Sequence, residues 1–471
     1  MRKLLIGLGL GGAFTLAVFG LFLLKSLNTD LENETSKSKK YSDAEEQIFD
    51  EDYMDFYGLD YFDTNLPVIY IDTQGNTVNS EMQVMTKFSI LNSEDDGEFH
   101  NIKEIPDFTL NAGVNYRGAS SSAFDKKQYR VTFYKDSTMK KKRDYDLFGM
   151  GSGDSWILNG PFLDKSMARN YLVYSLGSEV MEWAPDCKYV ELFVDGRYQG
   201  VYLLLEPVSQ GIGRLDLSEY ALMSGETAYI VSRDRVGTDF DPLNTFGKYA
   251  GYTSNDLYVN YPGKKNITES EYKWITKDIS EFEMALYGEN FKDPKKGYAA
   301  YIDVDNFVDY YILNEVVLNH DAGNLSTYAY KEIDGKLKMV LWDYNNCYDN
   351  YQWFAEDFDA FYLPEMAWFE RLLQDEAFVD KVVNRYYELR ENELSVDHMY
   401  DILDTAENTM GDAIDRNYMV WGYIFEYNIM SEKRRHIASY EDADAQLRYS
   451  IIRRFNFLDE HITDLYGYCV E

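Results

Sequence analysis

The chain has 471 residues, with 46 Lys and Arg against 81 Asp and Glu, for a formal net charge of −35. So acidic a protein lacks the basic face that nucleic-acid phosphates require, which argues against nucleic acid as a partner. The three cysteines, Cys187, Cys347 and Cys469, make neither a disulfide framework nor a metal knuckle, so packing must supply the stability.

Residues 4–24 are apolar or small throughout, between Arg2-Lys3 and Lys25. About 20 such residues span a bilayer core. The run predicts a transmembrane signal anchor over residues 1–25, with the bulk of the chain outside the cell membrane. A cleaved signal peptide with secretion is the alternative, and no small-x-small cleavage site follows the run. Residues 26–64 read as an acidic stalk, too poor in apolar surface to fold alone. Its aromatics Phe49, Tyr53, Phe56 and Tyr57 offer a way to dock on the next unit.

The rest exceeds the size of a single core, so two units are expected, a strand-rich 65–208 and a mostly helical 209–471. Strands are expected over 68–71, 82–91 and 111–117. The third ends in Arg117-Gly118-Ala119-Ser120-Ser121-Ser122, a loop of small residues. Residues 126–133 form the next strand, with Lys127, Tyr129, Val131 and Phe133 on one face by the period of two. A short strand at 156–159 precedes a helix capped by Asp164 and running to Val180. Strands 189–194 and 198–205 flank Asp195-Gly196, a two-residue hairpin signal, and Glu206-Pro207 ends the pair.

Short strands and a helix over 269–286 follow. Asp305 then opens a periodic helix that leads into Asn319-His320-Asp321-Ala322-Gly323-Asn324. Segments 328–333 and 336–341 surround Asp334-Gly335, a second hairpin, and Trp342-Asp343 follows it. Helices are expected over 366–374, 377–390, 395–417 and 442–466. The fold class is α+β in two lobes, a strand-rich N-lobe and a helical C-lobe with a cleft between them, preceded by the single transmembrane helix.

A hairpin brings its ends together, so Asp321 and Asn324 are expected close to Asp343. Two carboxylates and an amide at one spot suit a hard cation such as Mg²⁺. Single Asx residues more often serve turns, but three beside one hairpin favour a site. Arg117 on a Gly-Ser loop favours an anion role. Lys127 reads equally well as a solvated strand lysine, and Glu206 as a structural strand end. His320 reads as a packed loop residue. No Gly-x-Ser-x-Gly elbow and no His-Glu-x-x-His zinc site is present.

The order of these pieces carries a resemblance. Arg117-Gly118-x-Ser120-Ser121 is followed by Lys126-Lys127-x-Tyr129, Trp156-x-Leu158-Asn159 and Asp164-x-Ser166-x-x-Arg169-Asn170. Then come Asp195-Gly196-x-Tyr198-x-Gly200-x-Tyr202, Asn319-x-Asp321-x-x-Asn324 and Trp342-Asp343. Over most of residues 66–466 the chain resembles the CotH family, the spore-coat-type atypical protein kinases. The resemblance implies ATP and a divalent metal, Mg²⁺ or Mn²⁺. By kinase logic Arg117 and Ser120 would belong to the loop over the phosphates and Lys127 would be the phosphate-binding lysine. Glu206 would meet adenine, Asp321 would accept the substrate hydroxyl proton, and Asn324 and Asp343 would hold the metal. Two departures stand out: Ala119 where the family usually has Asn, and Asn345 where it usually has an acid. The expectation is a membrane-anchored, outward-facing atypical protein kinase that phosphorylates protein Ser or Thr hydroxyls. The alternative is a non-catalytic surface, adhesion or cell-envelope assembly protein that keeps the fold.

Overall fold

The computed structural model describes residues 44–218, 225–234, 241–253 and 255–470. Seven strands form a barrel: β1 (Val68–Asp72), β2 (Val84–Leu91), β3 (Phe108–Arg117), β4 (Gln128–Tyr134), β5 (Ser155–Asn159), β6 (Cys187–Val194) and β7 (Arg197–Leu205). Their order is β6-β7-β5-β4-β3-β2-β1. The parallel pairing of β6 with β1, from Glu191 opposite Val68 to Val194 opposite Ile71, closes the ring. Closure removes the two unpaired edges that an open sheet would expose. Alternate side chains point inward, among them Phe88, Val131, Trp156, Leu158 and Leu192, and fill the interior. The β6–β7 turn is the two-residue Asp195-Gly196, both at positive φ (49° and 74°), with Val194 paired to Arg197.

Helix α1 (Glu51–Tyr57) lies against this barrel. Asp50 caps it through the Tyr53 amide (3.1 Å) and pairs with Arg197 of β7 (2.7 Å). Phe49 packs edge-on against Phe193 at 5.4 Å, and the Tyr53 hydroxyl donates to the Tyr198 carbonyl (2.7 Å). Phe56 instead faces solvent.

Helix α2 (Arg169–Val180) joins β5 to β6. A second sheet contains β8 (Tyr229–Asp234), β9 (Asp256–Tyr261), β10 (Thr327–Lys331) and β11 (Lys338–Val340), in the order β9-β8-β10-β11. Around it pack α3 (Glu269–Tyr287), α4 (Val304–Val316), α5 (Glu376–Arg390), α6 (Val396–Met410) and α8 (Tyr440–His461), and α7 (Ala413–Trp421) follows α6 in the chain. The helix expected over 395–417 is divided at Gly411 into α6 and α7. Helix α7 sits on the barrel, where Arg416 holds Glu191 of β6 through two 3.0 Å bonds.

The expected architecture is corrected on two counts. The chain is α+β, but the strand-rich part is a closed seven-stranded barrel. The expected transmembrane segment, residues 4–24, lies outside the described residues, and among the described residues no helix is long and apolar enough to cross a membrane. The described residues thus give no support to the single-pass anchor or to the membrane localisation drawn from it.

Candidate active site

The acidic wall of the cleft is built from the end of α4. Leu318 turns the chain at φ 56°, and the Asn319 side chain is tied back to Asn314 of α4 (2.9 Å) while its oxygen accepts from the Asp321 amide (3.2 Å). The Asp321 carbonyl accepts from the amides of Asn324 (3.1 Å) and Leu325 (2.8 Å), which closes a tight turn. Gly323, at φ 79°, donates its amide to Thr327 Oγ1 (2.9 Å) at the start of β10. The β10–β11 hairpin pairs Tyr328 with Val340 and returns the chain to Asp343.

Asp343 has φ 66°, a conformation that costs free energy in a non-glycine residue and that the surroundings must enforce. They do so from α2 and β5. The Asp343 amide donates to the Tyr174 hydroxyl (3.2 Å), and the next amide, of Tyr344, donates to Asn170 Oδ1 (2.8 Å). Asn170 also donates to Asn345 Oδ1 (2.7 Å), as does Asn159 of β5 (3.3 Å). The Asn345 amide nitrogen then donates to Asp343 Oδ1, and Ser326 Oγ donates to Oδ2 (3.4 Å).

The opposite wall is the loop after β3. Gly118 has φ 103°, and a Cβ there would fall 2.0 Å from Ser121 Oγ, so this bend requires glycine. Arg117 donates to Gln128 Oε1 (3.0 Å) and lies 5.8 Å from the Trp342 ring. A cleft of about 180 Å³ separates the walls, lined by Arg117, Ser120, Ser121, Asp321, Ser326, Asp343 and Asn345, among others.

Burial pushes the Asp343 carboxyl up, Arg117 opposes that shift, and the charges of Asp321 and Asp234 add to it. Half-buried Asp343 thus faces the cleft with its carboxylate poorly solvated, an environment that a bound cation relieves. Hard oxygen donors from Asp343, with Asp321 lining the same cleft, fit Mg²⁺ or Mn²⁺ chemically. Among the described residues no group of three His, Cys, Asp or Glu side chains is placed to hold a metal by itself.

Four of the seven residues singled out from the sequence line this cleft: Arg117, Ser120, Asp321 and Asp343. Asn324 is turned away, its carbonyl and Oδ1 accepting from Asn255 Nδ2 (2.9 and 2.6 Å). Lys127 precedes β4 and donates to the Ser122 carbonyl (2.9 Å) on the loop itself. Glu206, at the end of β7, borders a different cavity of about 370 Å³ and stands 3.5 Å from Arg214, its carboxyl pushed up to about 7 by burial.

Sequence reasoning missed Ser326, Asp234 and Asn346, whose amide donates to Asp321 Oδ2 (3.4 Å). Ser326 shares parity with Tyr328 at the mouth of the hairpin, a signal that was present. Asp234 comes to the cleft through long-range pairing of β8 with β10, which no local pattern reveals. His320 is packed as expected, its ring 4.2 Å from that of Tyr351 and its Nδ1 against Glu356. Glu179 pairs with His398 (2.7 Å), so α2 supplies no lysine–glutamate pair of the ordinary kinase type through that residue.

A family model described as CotH kinase protein matches residues 114–458, which contain every residue lining the cleft. Inner spore coat protein H of Bacillus subtilis (strain 168) is 24% identical over 253 residues, 53% of this chain and 62% of that relative. The match thus covers less than two thirds of the relative's own length. With the model matched over well more than half its length, the chain belongs to the CotH family.

Proposed function

We propose that the protein is a kinase that transfers the γ-phosphoryl group of ATP to a Ser or Thr hydroxyl of a protein, with Mg²⁺ or Mn²⁺. The single observation that carries this reading is the facing of Arg117 and the Ser120–Ser121 turn against Asp321 and Asp343 across one cleft. Arg117 and the loop hydroxyls bind phosphate oxygens, the guanidinium by charge-assisted bonds. Asp321, held by the turn it closes, takes the proton of the acceptor hydroxyl as its oxygen bonds to phosphorus and the bond to the β-phosphate oxygen breaks. Asp343 would hold the metal, which when bound offsets negative charge on the phosphates. The name of the relative supports a coat-associated or secreted setting for this chain.

Two measurements test the reading. ATP with Mg²⁺ at about 100 times its Kd should stabilise the fold by roughly 2.7 kcal/mol, read as a rise in Tm. Asp343→Ala should remove both that rise and label transfer from γ-labelled ATP. An Asp343→Ala protein that labels acceptors as well as the wild type sinks the proposal.

One observation favours a second reading, a non-catalytic coat or assembly protein. Asn345 spends its amide on Asp343 and its oxygen on Asn159 and Asn170, so it offers the cleft no carboxylate. No rise in Tm with ATP and either metal would select this reading.

A further inference from the structure

The phosphate loop is tied down at one end by a buried lysine. Lys126 is 1% exposed, and its ammonium donates to the Val201 carbonyl of β7 (2.7 Å) and to Asn417 Oδ1 of α7 (2.7 Å). The Tyr202 ring lies 5.0 Å away on a further side. Burial alone drives the lysine well below its usual pKa. Both partners are neutral oxygens, so this is a poor way to gain stability, and an apolar side chain would fill the same space at lower cost. What the lysine does supply is geometry. It joins the loop, the barrel and α7 at one point, where Asn417 Oδ1 also accepts from the Val201 amide (3.1 Å). Gly200 beside it leaves room for Asn417: a Cβ there would lie 2.3 Å from Oδ1.

The two preceding loop residues are held by the same part of the chain. Asp125 accepts from the Tyr423 hydroxyl (2.7 Å). Phe124 stacks on Phe162 at 5.2 Å, and Phe162 meets Trp421 edge-on at 6.3 Å. The tip, by contrast, contacts mainly itself: Ser122 Oγ donates to the Ala119 carbonyl (2.7 Å), and Lys127 donates to the Ser122 carbonyl.

We propose that Lys126 and Asn417 are positioning residues that fix the phosphate loop to α7, so that Arg117, Ser120 and Ser121 meet a nucleotide's phosphates from a preformed loop. The proposal rests on the phosphotransfer reading above. Preorganisation of this kind raises affinity by removing the ordering cost from the binding step.

The test compares the full chain with Lys126→Met, which keeps most of the side-chain length, and with Tyr423→Phe, which removes only the half-exposed tie to Asp125. Hydrogen–deuterium exchange over 117–125 reads the anchor, and calorimetry with ATP and with adenosine, each with Mg²⁺, reads the positioning. Lys126→Met should exchange faster there and bind ATP roughly tenfold more weakly, with adenosine affinity unchanged. Tyr423→Phe should move both readouts in the same direction by less. Unchanged exchange overturns the anchor, whatever binds. Faster exchange with equal ATP affinity overturns the positioning role, as does an equal loss for ATP and adenosine. A wild type that binds no ATP overturns the phosphotransfer reading and the positioning role together, while the exchange data still decide whether the loop is anchored.

Discussion

The barrel and the irregular chain behind the cleft solve the same problem with different materials. Barrel backbone groups are paired strand to strand around a closed ring, and the interior is filled almost wholly by apolar side chains. The segment from Tyr344 to Ala360 has no strand partner for its carbonyls, and buried arginines take that place. Arg169 donates to the Cys347 carbonyl (2.9 Å) while paired with Asp164 (2.6 Å). Arg454 of α8 donates to the carbonyls of Glu315 (2.7 Å), Phe358 (2.8 Å) and Ala360 (2.7 Å) while paired with the Glu315 carboxylate (2.7 Å). Arg435 serves the carbonyls of Asp349 and Tyr351, both at 2.7 Å. A guanidinium has five donors in a rigid fork, so one side chain satisfies several loop carbonyls at once. Regular structure holds itself by ladder and hydrocarbon, whereas the chain that shapes the site is held by buried charge.

The largest expected effect breaks that comparison most directly. Arg454→Met leaves Glu315 buried without its cation and should cost about 3–5 kcal/mol in urea unfolding. Adding Glu315→Gln should recover a good part of the loss, because the penalty is the unpaired charge. Leu158→Ala, in the barrel interior, should cost about 2–5 kcal/mol through lost burial and a cavity, with no second polar change able to restore it. A loss below about 1 kcal/mol for Arg454→Met would show that the loop carbonyls find water and that the contrast is false.

The same contrast explains what could be read in advance. Local chemistry was legible. Asp195-Gly196 makes its turn and the hairpin brings Asp321 and Asp343 to one cleft. Each follows from a short stretch of chain. The helix expected from Asp164 starts only at Arg169, whose amide Asp164 accepts from a turn ahead of it (3.0 Å). Long-range pairing was not legible: nothing near Val68 announces that β6 will lie parallel to β1 and close a barrel. The lysines show how small the margin is. Lys127 has the parity of inward-facing Tyr129 and Val131, but β4 begins at Gln128, so the parity does not bind it. Its neighbour Lys126 is the one that goes inside. Asn324 sits at the hairpin mouth, yet Asn255, from a separate loop, takes its side chain.

A smaller effect tests buried charge within the barrel's own margin. The Glu206 carboxyl is raised from 4.5 to about 7, mainly by burial. A raised carboxyl means that the folded state holds the proton more tightly than the unfolded chain. The contribution is fully present below pH 4.5 and is lost as pH rises through 7, by up to about 3 kcal/mol. Glu206→Gln removes this titration. The Tm of the variant minus that of the wild type should therefore increase between pH 5 and pH 8, whereas the corresponding difference for Leu158→Ala should stay flat. A flat profile for Glu206→Gln would mean that Arg214, 3.5 Å away, fully offsets the burial.

The smallest expected effect on stability falls in the cleft, where it bears most on function. Asn345 quiets Asp343 by donating its amide to the carboxylate. In Asn345→Asp the new oxygens would still accept from Asn159 and Asn170, so the supporting contacts survive and only the donation to Asp343 is lost. In its place stands a like charge beside a carboxyl already pushed up by burial, Asp321 and Asp234. Without a divalent cation the variant should lose about 1 kcal/mol, and Mg²⁺ or Mn²⁺ should restore it, giving a larger metal-induced rise in Tm than in the wild type. That outcome would mean that an amide stands where the cleft is built to take an acid, and that wild-type metal affinity is set by this one side chain. An equal metal response in both proteins would mean that the cation does not sit beside Asp343, and the phosphotransfer reading would lose the group on which its metal depends.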